Sequence, residues 1–141
     1  MPTAAFVEAR RRGKIGQGII AGKLRQKGWT VEITADGYNP DYDLQAYKDQ
    51  MAFRAEVKYD QKVKEYGNVA VEISSLKKSK ASMLFYVVDD TPIKTYMMPL
   101  QDMVTFASNW PIKKTGGEFR VELAIIPYND FKALPFIQEL K

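Results

Sequence analysis

The chain contains no cysteine and no histidine. Without cysteine there is no disulfide framework, no thiolate metal site and no thiol nucleophile. Without histidine the Ser-His-Asp and Cys-His mechanisms are excluded, and a zinc site loses its preferred nitrogen and sulfur ligands. No apolar run is long enough to span a bilayer, and the N-terminus lacks the apolar core of a secretory signal, so a cytoplasmic protein with no membrane partner is expected. Low-complexity segments and internal repeats are also missing. Any chemistry must be built from Asp, Glu, Lys, Tyr and Ser, with a hard cation as the natural helper.

What is present suffices for one domain with its own core: 141 residues, 45% hydrophobic and 12% aromatic. The net charge is +4 and unevenly placed. Arg10, Arg11, Arg12, Lys14, Lys23, Arg25 and Lys27 follow one another without an acidic residue between Ala9 and Gly28, and Lys77, Lys78 and Lys80 form a second cluster. Basic patches suit a polyanion such as DNA, while the bland reading is a solvated surface.

Residues 1–13 read as partly loose. Ile15, Ile19, Ile20 and Leu24 recur at helical spacing, so Lys14–Gly28 reads as a helix stopped by Gly28. Gly18 and Gly22 lie four apart and are expected to permit close backbone packing. The run GKIGQGIIAG lacks the preceding strand of a dinucleotide fingerprint and the Gly-Lys-Ser/Thr of a phosphate loop, so packing is preferred. Strands are expected at Trp29–Ile33, Tyr42–Tyr47, Ala52–Tyr59, Val69–Ser74, late in Ala81–Asp90, and at Ile93–Pro99. Asp36-Gly37 and Asn39-Pro40 are turn signals. Leu100–Trp110 has helical spacing, Glu118–Ile126 alternates again, and the tail from Asn129 reads as short helical turns. The order implies an α/β domain with a mixed central β-sheet flanked by helices.

One hairpin stands out. If the connection centres between Asp49 and Gln50, Tyr47 faces Ala52, Asp43 faces Glu56 and Asp41 faces Lys58. Alternation gives the same grouping. Phe53, Ala55, Val57 and Tyr59 share one face with Leu44 and Ala46. Arg54, Glu56 and Lys58 share the other with Asp41, Asp43 and Gln45. Glu72 of the next strand is a candidate for the same polar patch. Two carboxylates facing across a ladder lie about 5 Å apart and repel, unless a cation sits between them. Magnesium takes one or two protein carboxylates plus water and phosphate oxygens, and would activate water and polarise a phosphodiester. Lys58 would offset charge on the phosphoryl oxygens. The rival reading is an ordinary charged surface hairpin.

Pro40-Asp41, Asp43 and Glu56-Val57-Lys58 resemble the PD-(D/E)XK nuclease superfamily, with Pro-Asp followed by Glu-x-Lys on a hairpin. The resemblance covers Lys14 to about Val88. It extends to Gly28-Trp29, similar to the Gly-aromatic pair of archaeal and phage Holliday-junction-resolvase-like nucleases, and to GNVAVEISS (Gly67–Ser75), similar to restriction-type members. It implies a restriction-endonuclease-like core of helix, three-strand meander, crossover helix and strand over residues 14–90, with C-terminal additions over 91–141, in a single domain 1–141. It further implies a Mg2+- or Mn2+-dependent endonuclease acting on double-stranded or branched DNA, in junction resolution, restriction or homing. Asp43, Glu56 and the Val57 carbonyl would hold the metal, with Asp41 and Glu72 as additional candidates. Lys58 would assist, and Gln17 stands where the family commonly has glutamate. Glu8, nine residues earlier, would fall near the opposite helix face. Arg10, Arg11, Arg12, Lys14, Lys23, Lys77, Lys78 and Lys80 would contact phosphates. So small a nuclease is expected to work as a homodimer or higher oligomer, and a phage or mobile-element origin would fit. The alternative is a non-catalytic nucleic-acid-binding module on the same scaffold.

Overall fold

The computed structural model describes residues 3–34, 41–114 and 122–141, leaving aside the side chains of Ala5, Phe6, Ala9, Arg10 and residues 112–114. The turn signals at Asp36-Gly37 and Asn39-Pro40, Pro40 of the motif, and the start of the strand expected from Glu118 lie outside the described residues.

Helix α1 runs over Ala4–Gln26, ten residues earlier than the apolar spacing shows, because the Ala- and Arg-rich start is helix-forming without being amphipathic. It ends where expected. Gly28 takes φ 93°, its N–H donates to the Arg25 carbonyl, and the Trp29 N–H reaches back to Leu24, both at 3.0 Å. These two bonds satisfy carbonyls left over by the last turn.

Strands β1 (Thr30–Ile33), β2 (Leu44–Lys48) and β3 (Met51–Asp60) form the meander. Tyr47 pairs with Ala52 and Leu44 with Ala55, the register that a turn centred between Asp49 and Gln50 requires. A short helix α2 (Val63–Tyr66), strand β4 (Asn68–Glu72) and helix α3 (Ile73–Lys78) then lead to β5 (Met83–Val88). β5 pairs parallel to β3, so α2, β4 and α3 are the crossover that a parallel pair demands. Strand β6 (Lys94–Pro99), helix α4 (Leu100–Ser108), strands β7 (Ile112–Lys114) and β8 (Glu122–Pro127), helix α5 (Tyr128–Lys132) and strand β9 (Gln138–Glu139) complete the chain.

The main sheet has the order β1-β2-β3-β5-β6-β9, and β4-β8-β7 form a second sheet. The strand expected at Val69–Ser74 therefore stops at Glu72, joins the second sheet, and gives way to a helix at Ile73. Its alternation of Val69, Val71 and Ile73 continues into the first turn of α3 because all three are fully buried on one core. The tail starts with the expected helical turn, α5, but ends otherwise, since β9 adds an edge strand beside β6.

Alternate residues of the central strands feed two cores. On one face Ile20, Ala21 and Leu24 of α1 pack on Leu44, Ala46, Ala55, Val57, Phe85 and Val87. On the other, Leu84, Tyr86 and Val88 meet the second sheet, α3, α4 and α5. Close approach of α1 to the sheet falls at Gly16. A methyl there would lie 3.3 Å from Tyr59 Cβ and 3.5 Å from Val57 Cγ1, whereas one at Gly18 or Gly22 would meet nothing within 4 Å. Residues 16, 20 and 24 share the inward face; Gly18 and Gly22 point away from it.

Candidate active site

The site is built where β2 ends and β3 continues. The ladder stops at Leu44 and Ala55. One residue before it, the Asp43 N–H donates to the Ala55 carbonyl at 2.8 Å, while the Asp43 carbonyl accepts from the Thr34 N–H at 3.0 Å. The bond to Ala55 is one step off the ladder register, so Asp43 does not face Glu56 squarely. Beyond it no described strand pairs with that edge of β3, and the Val57 N–H is taken by Asp43 Oδ2 at 2.8 Å. A backbone donor that would otherwise be orphaned thus brings the aspartate beside Glu56. In a strand the N–H and C=O of one residue share an edge, so the Val57 carbonyl opens on the same side.

Glu56 and Lys58 point to the face opposite α1. Their side chains are 14% and 26% exposed, with Lys58 Nζ 3.7 Å from Glu56 Oε1. This is not an open solvent face, because α3 lies across it. Lys58 Nζ donates to Ser75 Oγ at 2.8 Å, and Ser79 Oγ, just past the end of α3, donates to Glu56 Oε2 at 3.0 Å. Neither serine is singled out by the sequence, because the strand expected over Val69–Ser74 leaves the helix that follows unread; the i, i+4 pair in SSLKKS is the signal that a helical reading of this stretch would have given.

Burial drives the electrostatics. It pushes the Glu56 carboxyl up from 4.5 to about 7, with the Asp43 charge adding to the rise and Lys58 and Ser79 only partly opposing it. Burial also raises Asp43, against the Val57 hydrogen bond and Lys58. The two carboxyls therefore resist carrying charge together, and a divalent cation between them would remove that penalty. The donors are all hard oxygens: the two carboxylates and the Val57 carbonyl. Among the described residues no group of three or more acidic side chains is suited to a metal. Two carboxylates with a carbonyl fit magnesium or manganese better than a calcium cage of many ligands.

The other candidates separate. Asp41 was expected to face Lys58. Instead its carbonyl accepts the Lys80 N–H at 2.7 Å and its carboxylate lies 3.9 Å from Lys80 Nζ, because the chain turns to the end of α3 before β2 starts. Glu72 closes β4; burial above all, then Asp60, Glu72 and Glu56, raises the Tyr86 hydroxyl, and among the described residues Glu72 does not make a three-carboxylate metal group with Asp43 and Glu56. Asp60 is the last residue of β3, and its carboxylate holds the turn that follows, accepting the N–H groups of Lys62 at 2.8 Å and Ala70 at 3.2 Å. Gln17 is half-buried beside Gly16 and makes no hydrogen bond to either carboxylate.

The basic residues divide as well. Lys23 is used inside the fold, donating to Thr95 Oγ1 at 2.8 Å and the Leu140 carbonyl at 3.2 Å. Arg11 pairs with Glu8 at 2.8 Å on the exposed start of α1, Arg12 is half-buried and Lys14 exposed. The side chain of Arg10 lies outside the described residues. Lys77, Lys78 and Lys80 are exposed and adjoin the site. Lys77 and Lys80, with Ser79, Ser82 and Gln101, line a groove of about 590 Å³ between α3 and α4. No described helix is long and apolar enough to cross a membrane.

The profile of the PD-(D/E)XK endonuclease family matches residues 7–134. No curated protein matches the chain. Among solved structures, the bacterial homing endonuclease I-Ssp6803I is similar over 68% of this chain and 72% of its own, with a TM-score of 0.55 and 16% identity. Hjc, a Holliday junction resolvase from the archaeal hyperthermophile Archaeoglobus fulgidus, is similar over 91% of both chains, with a TM-score of 0.53 and 12% identity. A fusselovirus nuclease aligns over 92% of this chain and 86% of its own, at a TM-score of 0.48 and 18% identity. At such identities the likeness is one of fold.

Proposed function

The chain belongs to the PD-(D/E)XK endonuclease family, and from that premise we propose that it hydrolyses DNA phosphodiester bonds, in double-stranded or branched DNA, with Mg2+ or Mn2+. The observation that carries the reading is the hydrogen bond from the Val57 N–H to Asp43, which sets a second carboxylate beside Glu56 and Lys58 where the β2–β3 ladder has ended. Asp43, Glu56 and the Val57 carbonyl would hold the cation, which when bound supplies an activated water and neutralises phosphate charge. Lys58, beside Glu56, offsets negative charge growing on the phosphoryl oxygens. Lys77 and Lys80 would receive the flanking phosphates along the groove, with Lys78 exposed on the same helix, and Arg11, Arg12 and Lys14 would extend the contact from α1; such contacts position the substrate without reading its sequence. Gln17, beside the strand that carries the site, offers an amide where an acid is common, and would act on water rather than on the cation's charge. Asp41 serves through Lys80, and Glu72 stays outside the ligand set. A homodimer acting in the cytoplasm is the expected form, because one chain covers little of a duplex.

The test is incubation of supercoiled plasmid and of a four-way junction with the protein in Mg2+, Mn2+ or chelator. Cleavage is expected only with metal and only when Glu56 and Lys58 are intact. Binding without cleavage under every metal condition would favour a non-catalytic nucleic-acid-binding module, the reading that the neutral Gln17 supports.

A further inference from the structure

We propose that α3 and the residue that caps it are a positioning element for the site: Ser79 orients the Glu56 carboxylate and Ser75 orients the Lys58 ammonium. The inference rests on the nuclease reading and adds to it two residues outside the Asp-Glu-Lys motif.

Ser79 has one hydroxyl proton and two acceptors within reach, Glu56 Oε2 at 3.0 Å and the Asp41 carbonyl at 3.2 Å. The Asp41 carbonyl already accepts the Lys80 N–H at 2.7 Å. The carboxylate is the shorter contact and the stronger acceptor, so the proton goes to it. The Ala81 N–H donates to the same hydroxyl at 3.2 Å, which occupies a lone pair and limits the rotor. Glu56 Oε2 is held in this way, and Oε1 remains as the oxygen nearer Lys58.

Lysine has a flexible four-carbon stem and a freely turning ammonium, so it needs an acceptor to choose one rotamer. Ser75 Oγ is that acceptor, at 2.8 Å. Between the two serines, Leu76 is fully buried and keys the segment into the core. The Lys80 N–H holds the loop that leads to Asp43. One short segment, 75–80, thus sets the acid, the base and the approach of the second acid relative to one another. Ser79 also meets backbone groups, as a residue closing a helix does, but both hydroxyls reach the charged atoms of the motif as well.

The experiment compares wild type, Ser79→Ala, Ser79→Thr, Ser75→Ala and Glu56→Ala. Mn2+ affinity is measured by calorimetry without DNA, and plasmid nicking in Mn2+ is resolved into kcat and KM. Ser79→Ala is expected to weaken Mn2+ binding and lower kcat by about tenfold each, with KM for DNA unchanged, and Ser79→Thr to recover most of both. Ser75→Ala is expected to lower kcat with Mn2+ affinity intact, because it acts through Lys58. Should Ser79→Ala not fold, Ser79→Cys, close in size but a weak donor, carries the same expectation. Wild-type values in the serine variants, alongside loss of both in Glu56→Ala, would overturn the positioning role and leave the nuclease reading standing. A wild-type protein that neither binds Mn2+ nor nicks DNA, or a Glu56→Ala variant that does both, would overturn the reading and the inference together.

Discussion

Toward α1, β3 presents Ala55 and Val57, buried against Ile20, Ala21 and Leu24 with Gly16 close enough to touch. Toward α3, the residues between and after them are Glu56 and Lys58, still mostly covered but met by serine hydroxyls. The same strand thus supplies a packing face and a charged face one residue out of phase. The first lowers free energy by removing apolar surface from water. The second raises it, since Glu56 is driven up to about 7 by burial and by Asp43. A charged face kept at a cost to stability is the behaviour expected of a functional site.

Substitutions on the two faces should therefore differ in kind. On the charged face, Glu56→Ala and Lys58→Ala are each expected to reduce plasmid cleavage by about 10²–10³-fold or more, with the urea midpoint equal or higher in Glu56→Ala and lower in Lys58→Ala, which leaves Glu56 without its counter-charge. A fall in the stability of Glu56→Ala matching its fall in activity would erase the contrast. On the packing face, Leu44→Ala should cost about 2–5 kcal/mol in urea unfolding, as Leu44 is fully buried. Its cleavage rate per folded molecule should stay close to wild type.

The pH dependence sharpens the comparison. Because folding favours the protonated Glu56, its penalty is absent below about 4.5, grows as pH rises, and is complete above about 7. It amounts to at most about 3 kcal/mol, and Asp43 contributes in the same direction. Measured in chelator, the stability of wild type minus that of Glu56→Gln should fall from acid to neutral pH. Mn2+ at pH 8 should raise the melting temperature of wild type, and chelation should return it. A flat difference across this range would mean that the charged face is no burden.

The smallest effects belong to the rim. Replacing Lys77, Lys78 or Lys80 singly by alanine should weaken DNA binding several-fold and reduce the salt slope by about one each, without altering Mn2+ affinity. Lys23→Ala, by contrast, should show up in stability, since its ammonium ties α1 to Thr95 and Leu140.

Much of the hairpin was legible in the sequence because strand alternation and turn register are local. Leu44 and Ala55 pair as the turn centre requires, and the faces of Phe53–Tyr59 sort as alternation predicts. Alternation failed at Val69–Ser74, where an apolar pattern passes from β4 into α3 without a break in burial. It also failed for Asp41: the register was extrapolated past the end of β2, where the chain has already turned toward Lys80.

By itself the sequence determined the chemistry available: oxygen donors and lysine without histidine or cysteine, and an acid two residues before a base on one strand face. Period-two geometry needs no partner to express that placement. Only the tertiary structure decided what surrounds those groups. Ser75 meets Lys58 across 17 residues and Ser79 meets Glu56 across 23, contacts created by the crossover folding back over β3. Whether a carboxylate is solvated or buried beside another is set by that covering, and the covering has no signature in the residues of the hairpin.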